Sequence, residues 1–143
     1  MKKNAPKSLV RKSRIWVFVL LILAAVAAIG FALLPRVQDY PLEITTIQAF
    51  EKYDSGVLIL DVRQPEEWKE GHISGATLIP LGELQSRLKE LPRDREIVVV
   101  CRSGNRSQEG RNILRAAGLT QVTSMKGGMI DWISSGYPTV AGE

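Results

Sequence analysis

Cys101 is the only cysteine among 143 residues. It closes an apolar run, Val98, Val99 and Val100, and opens a loop of Arg102, Ser103, Gly104, Asn105, Arg106 and Ser107 that holds no apolar side chain. Gly104 permits a tight reversal with positive φ. Successive main-chain N–H groups can then face inward as a nest for an anion. A helix starting after the loop adds the positive end of its dipole. A thiol there is expected to be shifted toward thiolate, because hydrogen bonds and opposite charge favour the ionised form. Arg102 and Arg106 add positive charge. The pattern points to Cys101 as a nucleophile and to the loop 102–107 as the binding site of an anionic substrate.

A lone cysteine at the end of an apolar strand is ordinarily a small buried hydrophobe. The glycine, two arginines, asparagine and two serines that follow tip the reading toward a reactive thiol. One thiol makes no internal disulfide, so an oxidising compartment leaves it either buried and inert or free and reactive. A cysteine-dependent phosphatase or arsenate reductase is the competing chemistry. The phosphatase loop has the spacing C-x(5)-R, whereas Arg106 here gives C-x(4)-R and Ser107 stands in the seventh place. The smaller ring suits a sulfur on the cysteine better than a tetrahedral phosphate above it.

Positioning such a loop requires a strand before it and a helix after it. The run "GVLILDV", which begins at Gly56, reads as a strand buried on both faces, and "REIVVVC" and the shorter "ATLIPL" and "QVTSM" read as further strands. Helices are expected over "TTIQAFEKY", capped by Thr45 or Thr46, and over "QPEEWKEG", with Pro65 at its start and Gly71 at its stop. Leu84, Leu88 and Leu91 give "GELQSRLKEL" helical spacing. "SQEGRNILRAAGL" closes at Gly118, and "GGMIDWISSGYP" at Gly136 and Pro138. Alternating strands and helices predict an α/β fold, a parallel sheet with helices on both faces. Ligands bind beyond the C-terminal ends of such strands. Two ends carry polar residues: Asp61 to Arg63, and Cys101 to Arg106.

Asp61 and Arg63 are expected to support the site as an ion pair or cap rather than touch substrate. His72 could serve as a general base by residue type, but a thiolate made by the loop needs no base, so a structural hydrogen bond is expected. Trp68 and Trp132 are expected in the core. One histidine and one cysteine leave no metal-ligand spacing, and no cofactor is implied.

Residues Ile15 to Leu34 form a run of 20 without a charge, about the length that crosses a bilayer as a helix. Six of the 19 basic residues and no acid lie in the first 14, which leaves 13 basic against 15 acidic, net −2. The domains expected are a basic tail over 1–14, a transmembrane helix over 15–34, a linker over 35–41 and a globular domain over 42–143. The basic flank predicts a cytoplasmic N-terminus and an extracytoplasmic domain. Trp16 falls at the cytoplasmic edge of the span. A cleaved secretory signal competes, but "IGFALL" continues the apolar run beyond the small residues of "AAVAA". The positive charge belongs to the tail, so it does not argue for nucleic acid, and no such partner is expected.

Four segments make the chain resemble the single-domain rhodaneses, a sulfurtransferase family. They are "LILDVRQPEEWKEGHISGATLIP", "IVVVCRSGNRS", "GLTQVTSMKGG" and "MIDWISSGYP", together covering roughly residues 42 to 141. Ser74 replaces a customary proline, and Met129 a customary aromatic. The resemblance implies a rhodanese-like fold and a double displacement. Cys101 takes a sulfane sulfur from a small anionic donor such as thiosulfate and passes it, as a persulfide, to a thiol or cyanide. The loop is not of the mercaptopyruvate-preferring kind. The alternative is a membrane-tethered persulfide carrier with little turnover of its own, serving a membrane or periplasmic protein.

Overall fold

The computed structural model describes residues 8–32 and 39–142, with side chains of the first helix described over 15–30. The chain divides into two units, 1–38 and 39–143.

The first unit is a helix, α1 (Ser8–Ala32). Its described apolar side chains, from Ile15 to Ile29, are exposed. Among the described residues no helix is long and apolar enough to cross a membrane. The described side chains, 15–30, fall short of the about 20 apolar residues that a bilayer requires. The end of the expected span at Leu33 and Leu34, linker residues 35–38 and the basic side chains of the tail lie outside the described residues.

The second unit is built on five parallel strands: β1 (Glu43–Ile44), β2 (Leu58–Asp61), β3 (Thr77–Leu78), β4 (Ile97–Val100) and β5 (Val122–Met125). Their order across the sheet is β1-β5-β4-β2-β3. β4 sits centrally, so all four of its side chains are fully buried. Side chains alternate between faces of a strand, and both faces are covered. Ile97 and Val99 pack with Leu60, Leu84 and Leu114 on one side. Val98 and Val100 pack with Ile59, Met125 and Trp132 on the other. Each such side chain contributes roughly 1.5–3 kcal/mol by leaving water. That strip of aliphatic residues fixes where β4 ends, and therefore where Cys101 begins its loop.

Five helices follow the expected punctuation: α2 (Thr46–Asp54), α3 (Pro65–Glu70), α4 (Leu81–Leu84), α5 (Asn105–Ala116) and α6 (Gly128–Ser134). Thr45 caps α2, accepting from the Gln48 amide while the Gln48 side chain accepts from the Thr45 amide, a reciprocal box. Two expectations are corrected. "GELQSRLKEL" is not one helix: α4 stops at Leu84, and a 3-10 turn, Leu88–Glu90, follows. Ser86 Oγ donates back to the Glu83 carbonyl at 2.8 Å, competing with the helix for its acceptors. Pro92 then holds Leu91 extended, at ψ 137°, as a residue before proline prefers. The second correction is β1, which falls in a segment expected to precede the first helix directly. It forms because β5 offers its edge: the Ser124 amide donates to the Leu42 carbonyl and Lys126 to Ile44. Arg111 Nη1 and Arg115 Nη2 tie the carbonyls of Leu42 and Tyr40 at 2.7 and 2.6 Å.

Candidate active site

Cys101 follows the last residue of β4 and is 1 % exposed. The chain then reverses over three residues to Gly104, which takes φ 103°. This reversal brings the Gly104 N–H to 3.1 Å from Cys101 Sγ. A side chain at 104 would need a left-handed backbone and would put its Cβ 3.2 Å from the Gly127 nitrogen, so only glycine serves here. Gly104 is also the N-cap of α5. The amides of Asn105, Arg106 and Ser107, in the first turn of α5, have no acceptor among the described residues, and such orphan donors favour an anion before them. Ser107, fully buried, donates from Oγ to the Gly104 carbonyl at 2.7 Å. Its side chain therefore braces the turn, while those of Arg102, Ser103 and Asn105 are exposed.

A second loop holds the first from the side. The amides of Met129 and Ile130 donate to the carbonyls of Cys101 and Arg102 at 2.8 and 3.1 Å. The start of α6 is thus stitched to the sulfur-bearing residue. Gly128 makes the approach feasible: a Cβ there would collide with the Cys101 carbonyl oxygen and lie 2.6 and 2.7 Å from the carbonyl carbon and oxygen of Arg102.

Arg106 turns its guanidinium to Glu67 of α3, with Nη1 to Oε2 and Nη2 to Oε1 both at 2.7 Å. This fork-to-fork pairing is the strong geometry for arginine and carboxylate. The Arg106 hydrogen bonds hold the Glu67 carboxyl down at about 2; burial opposes them, and the Gln64 amide and the charges of Arg106 and Arg63 assist. Arg106 is correspondingly raised, chiefly by its bonds to Glu67. Arg63 and Asp61 form a buried pair at 2.7 Å, 6 and 0 % exposed at their side chains. Arg63 also donates to the carbonyls of Glu67 and Gly71 at 3.1 and 2.8 Å. Both arginines therefore pin α3, one to the end of β2 and one to the sulfur loop. His72 places Nδ1 3.0 Å from the Trp68 carbonyl and stacks on the Trp68 ring at 3.5 Å. Trp132 is fully buried and Trp68 half-buried.

Beside the loop lies a cleft of about 450 Å³ lined by Arg63, Glu67, Glu70, Arg102 and the α6 residues Met129, Ile130 and Ile133. Cys101 is not among its walls. Sequence reasoning missed Glu67 and the α6 residues as parts of the site. Glu67 looked like an acid complementing its own helix dipole, and its partner lies 39 positions away. The pair Gly127–Gly128 after a strand was the one available signal for the second loop.

A parallel sheet whose central strand delivers a buried thiol to a glycine reversal at a helix start defines an α/β class of cysteine-loop proteins. Residues 47–135 match the rhodanese-like domain. The chain belongs to the rhodanese-like family. It is 39% identical over 87 residues to a sulfurtransferase of Allochromatium vinosum, covering 61% of this chain and 81% of that one. It is 38% identical over 90 residues to the putative sulfur carrier protein YrkF of Bacillus subtilis, of which the match spans 49%. Among solved structures, a rhodanese-related protein from Thermoplasma volcanium superposes with a TM-score of 0.66 at 34% identity, covering 70% of this chain and 98% of that one.

Proposed function

We propose that the protein is a membrane-tethered sulfurtransferase that carries sulfane sulfur on Cys101. The carrying observation is the cradle: the Gly104 N–H aimed at Sγ, backed by the open first turn of α5. Amide donors and a helix dipole favour negative charge on that sulfur. With thiosulfate as donor, the Cys101 thiolate attacks the sulfane sulfur. A Sγ–S bond forms, the donor S–S bond breaks, and sulfite leaves with the electron pair. The persulfide anion then occupies the nest. A thiolate or cyanide attacks the outer sulfur, the Sγ–S bond breaks, and the Cys101 thiolate returns. No external oxidant enters either step. The sulfurtransferase name of the A. vinosum relative supports this reading.

The full chain, in mild detergent, should gain one sulfur in mass after thiosulfate, and Cys101→Ser should not. If no sulfur is gained from thiosulfate, polysulfide or an organic persulfide, the reading is wrong. The burial of Cys101 and the carrier name of the B. subtilis relative favour a second reading, a persulfide carrier. Cyanide separates the two, since an enzyme turns over to thiocyanate and a carrier releases little.

The tether is part of the proposal. The uncharged run Ile15–Leu34 and the helicity of α1 support it, and the six basic residues before the run favour a cytoplasmic N-terminus. Protease added outside cells with a permeabilised outer layer should then remove the domain. A protected domain, or full extraction by alkaline carbonate, would overturn the topology.

A further inference from the structure

We infer that the cleft beside the sulfur loop selects acceptor thiols that carry both a carboxylate and an ammonium group. Arg102 takes the carboxylate, Glu70 takes the ammonium, and the methylenes lie against Ile130 and Ile133. The inference rests on the sulfurtransferase reading and adds the identity of the acceptor.

The cleft is larger than sulfur transfer from a small anion needs. About 450 Å³ falls in the range of sites for organic ligands, whereas the sulfane sulfur itself is held by the loop amides. Hydrogen bonds place it next to the Cys101 backbone, because the amides of Met129 and Ile130, on its wall, are bound to the carbonyls of Cys101 and Arg102. Cys101 itself does not line it, so under this inference the acceptor is held there while its thiolate reaches the outer sulfur of the persulfide.

Four charged residues line the cleft. Two are already matched: Arg63 to Asp61, and Glu67 to Arg106 through both carboxylate oxygens. The side chains of Arg102 and Glu70 have no hydrogen-bond or ion-pair partner among the described residues, and they do not pair with each other. One wall thus offers a free cation and another a free anion. A ligand with a single charge meets one attraction and one repulsion, whereas a zwitterion meets two attractions. Discrimination of this kind needs the repulsive element as much as the attractive one. The remaining wall is apolar: Ile130 and Ile133 lie one turn apart on α6, 50 and 56 % exposed, and suit the methylenes of an amino-acid thiol.

The step is the second half of the cycle. The acceptor thiolate attacks the outer sulfur, a new S–S bond forms on the acceptor, and the electron pair of the broken Sγ–S bond stays on Cys101.

The test loads the full chain with thiosulfate, removes excess donor, and times persulfide discharge by three thiols. They are cysteine, which carries both charges, cysteamine, which carries the ammonium alone, and 3-mercaptopropionate, which carries the carboxylate alone. Each rate in Glu70→Gln and Arg102→Gln is divided by the rate in the unsubstituted protein, which cancels the intrinsic reactivity of each thiol. The loss in E70Q should be about fivefold greater with cysteine and cysteamine than with 3-mercaptopropionate, the size of one part-exposed ion pair. The loss in R102Q should be about fivefold greater with cysteine and 3-mercaptopropionate than with cysteamine. Equal losses across the three thiols, or none, would overturn the inference while leaving the transferase reading intact. Failure of thiosulfate and other sulfane donors to load Cys101 would instead overturn the transferase reading.

Discussion

The pairing of Arg106 with Glu67 sets a measurable stability, and Glu67→Gln is the perturbation that isolates it. Glutamine keeps the shape and one acceptor but removes the charge. In the folded protein the Glu67 carboxyl is held at about 2, against an ordinary 4.5. At about 1.36 kcal/mol per pH unit this difference is worth at most about 3.4 kcal/mol. The two side chains are 33 and 27 % exposed, so water screens the pair, and about 1–2 kcal/mol remains. The folded value is depressed, so the stabilisation is present above the unfolded value. It is lost as pH falls from about 4.5 toward about 2. Near neutral pH the E67Q domain should therefore melt about 5–10 °C lower than the unsubstituted one. The gap should close as both proteins are acidified toward about pH 2–3. Thermal unfolding of the full chain in detergent, followed by near-UV circular dichroism across that range, reads both features. The substitution also loosens the loop that carries Cys101, so the rate of persulfide formation should fall about tenfold. A deficit independent of pH, or none, would refute the view that this ion pair anchors the loop.

Asp61→Ala leaves Arg63 buried without its counter-charge and should cost about 3–5 kcal/mol, seen in the urea midpoint; Asp61→Asn should cost less, since it retains an acceptor. Gly128→Ala drives a methyl into the carbonyls of Cys101 and Arg102 and should lower persulfide formation far more than it lowers the melting temperature. Ser107→Ala removes one of the two donors to the Gly104 carbonyl, which keeps the Gln108 amide, and should cost about 0.5–1.5 kcal/mol, read by thermal melting. Discharge of the loaded protein by cysteine should return mostly the free Cys101 thiol and leave only a small minority of the protein as a mixed disulfide with cysteine, read by intact mass immediately after discharge.

The parts of the fold legible in the sequence were those with a local cause. The apolar runs of β2 and β4 announce strands buried on two faces, and Pro65, Gly118 and Thr45 mark helix boundaries by their own conformational limits. The reversal at Gly104 is likewise written in the loop itself. What escaped the reading depends on partners distant in the chain. A strand as short as β1 has no period to detect, and it exists because β5 presents an open edge 81 positions later. The leucines at 84, 88 and 91 do face the core. Their helical spacing hid the break at Ser86, where one hydroxyl diverts the hydrogen bonding. Arg106 was legible as a loop cation, but its engagement with Glu67 was not, because a glutamate in a first helical turn already has a local explanation. The same holds for α6, whose amides clamp the Cys101 loop through backbone contacts that side-chain types do not encode.

Burial of Cys101 bears directly on which sulfur of a persulfide can react. Attack by a thiolate on the inner sulfur gives a mixed disulfide and loses the cargo as sulfide, whereas attack on the outer sulfur transfers it. The Gly104 N–H faces Sγ, the α6 amide of Met129 holds the Cys101 carbonyl, and the residue is 1 % exposed. In-line attack on the inner sulfur has to come from the side opposite the outer sulfur, which is the packed end of β4. The outer sulfur stands about 2 Å further along the S–S bond. Under the proposed function, the geometry that keeps the thiol from being an ordinary surface cysteine is therefore also the geometry that favours transfer over loss of the cargo as sulfide. The two loops act together, since α6 holds the Cys101 carbonyl while Gly104 faces Sγ. A loosened reversal would move the Gly104 N–H off Sγ and open the inner sulfur to attack.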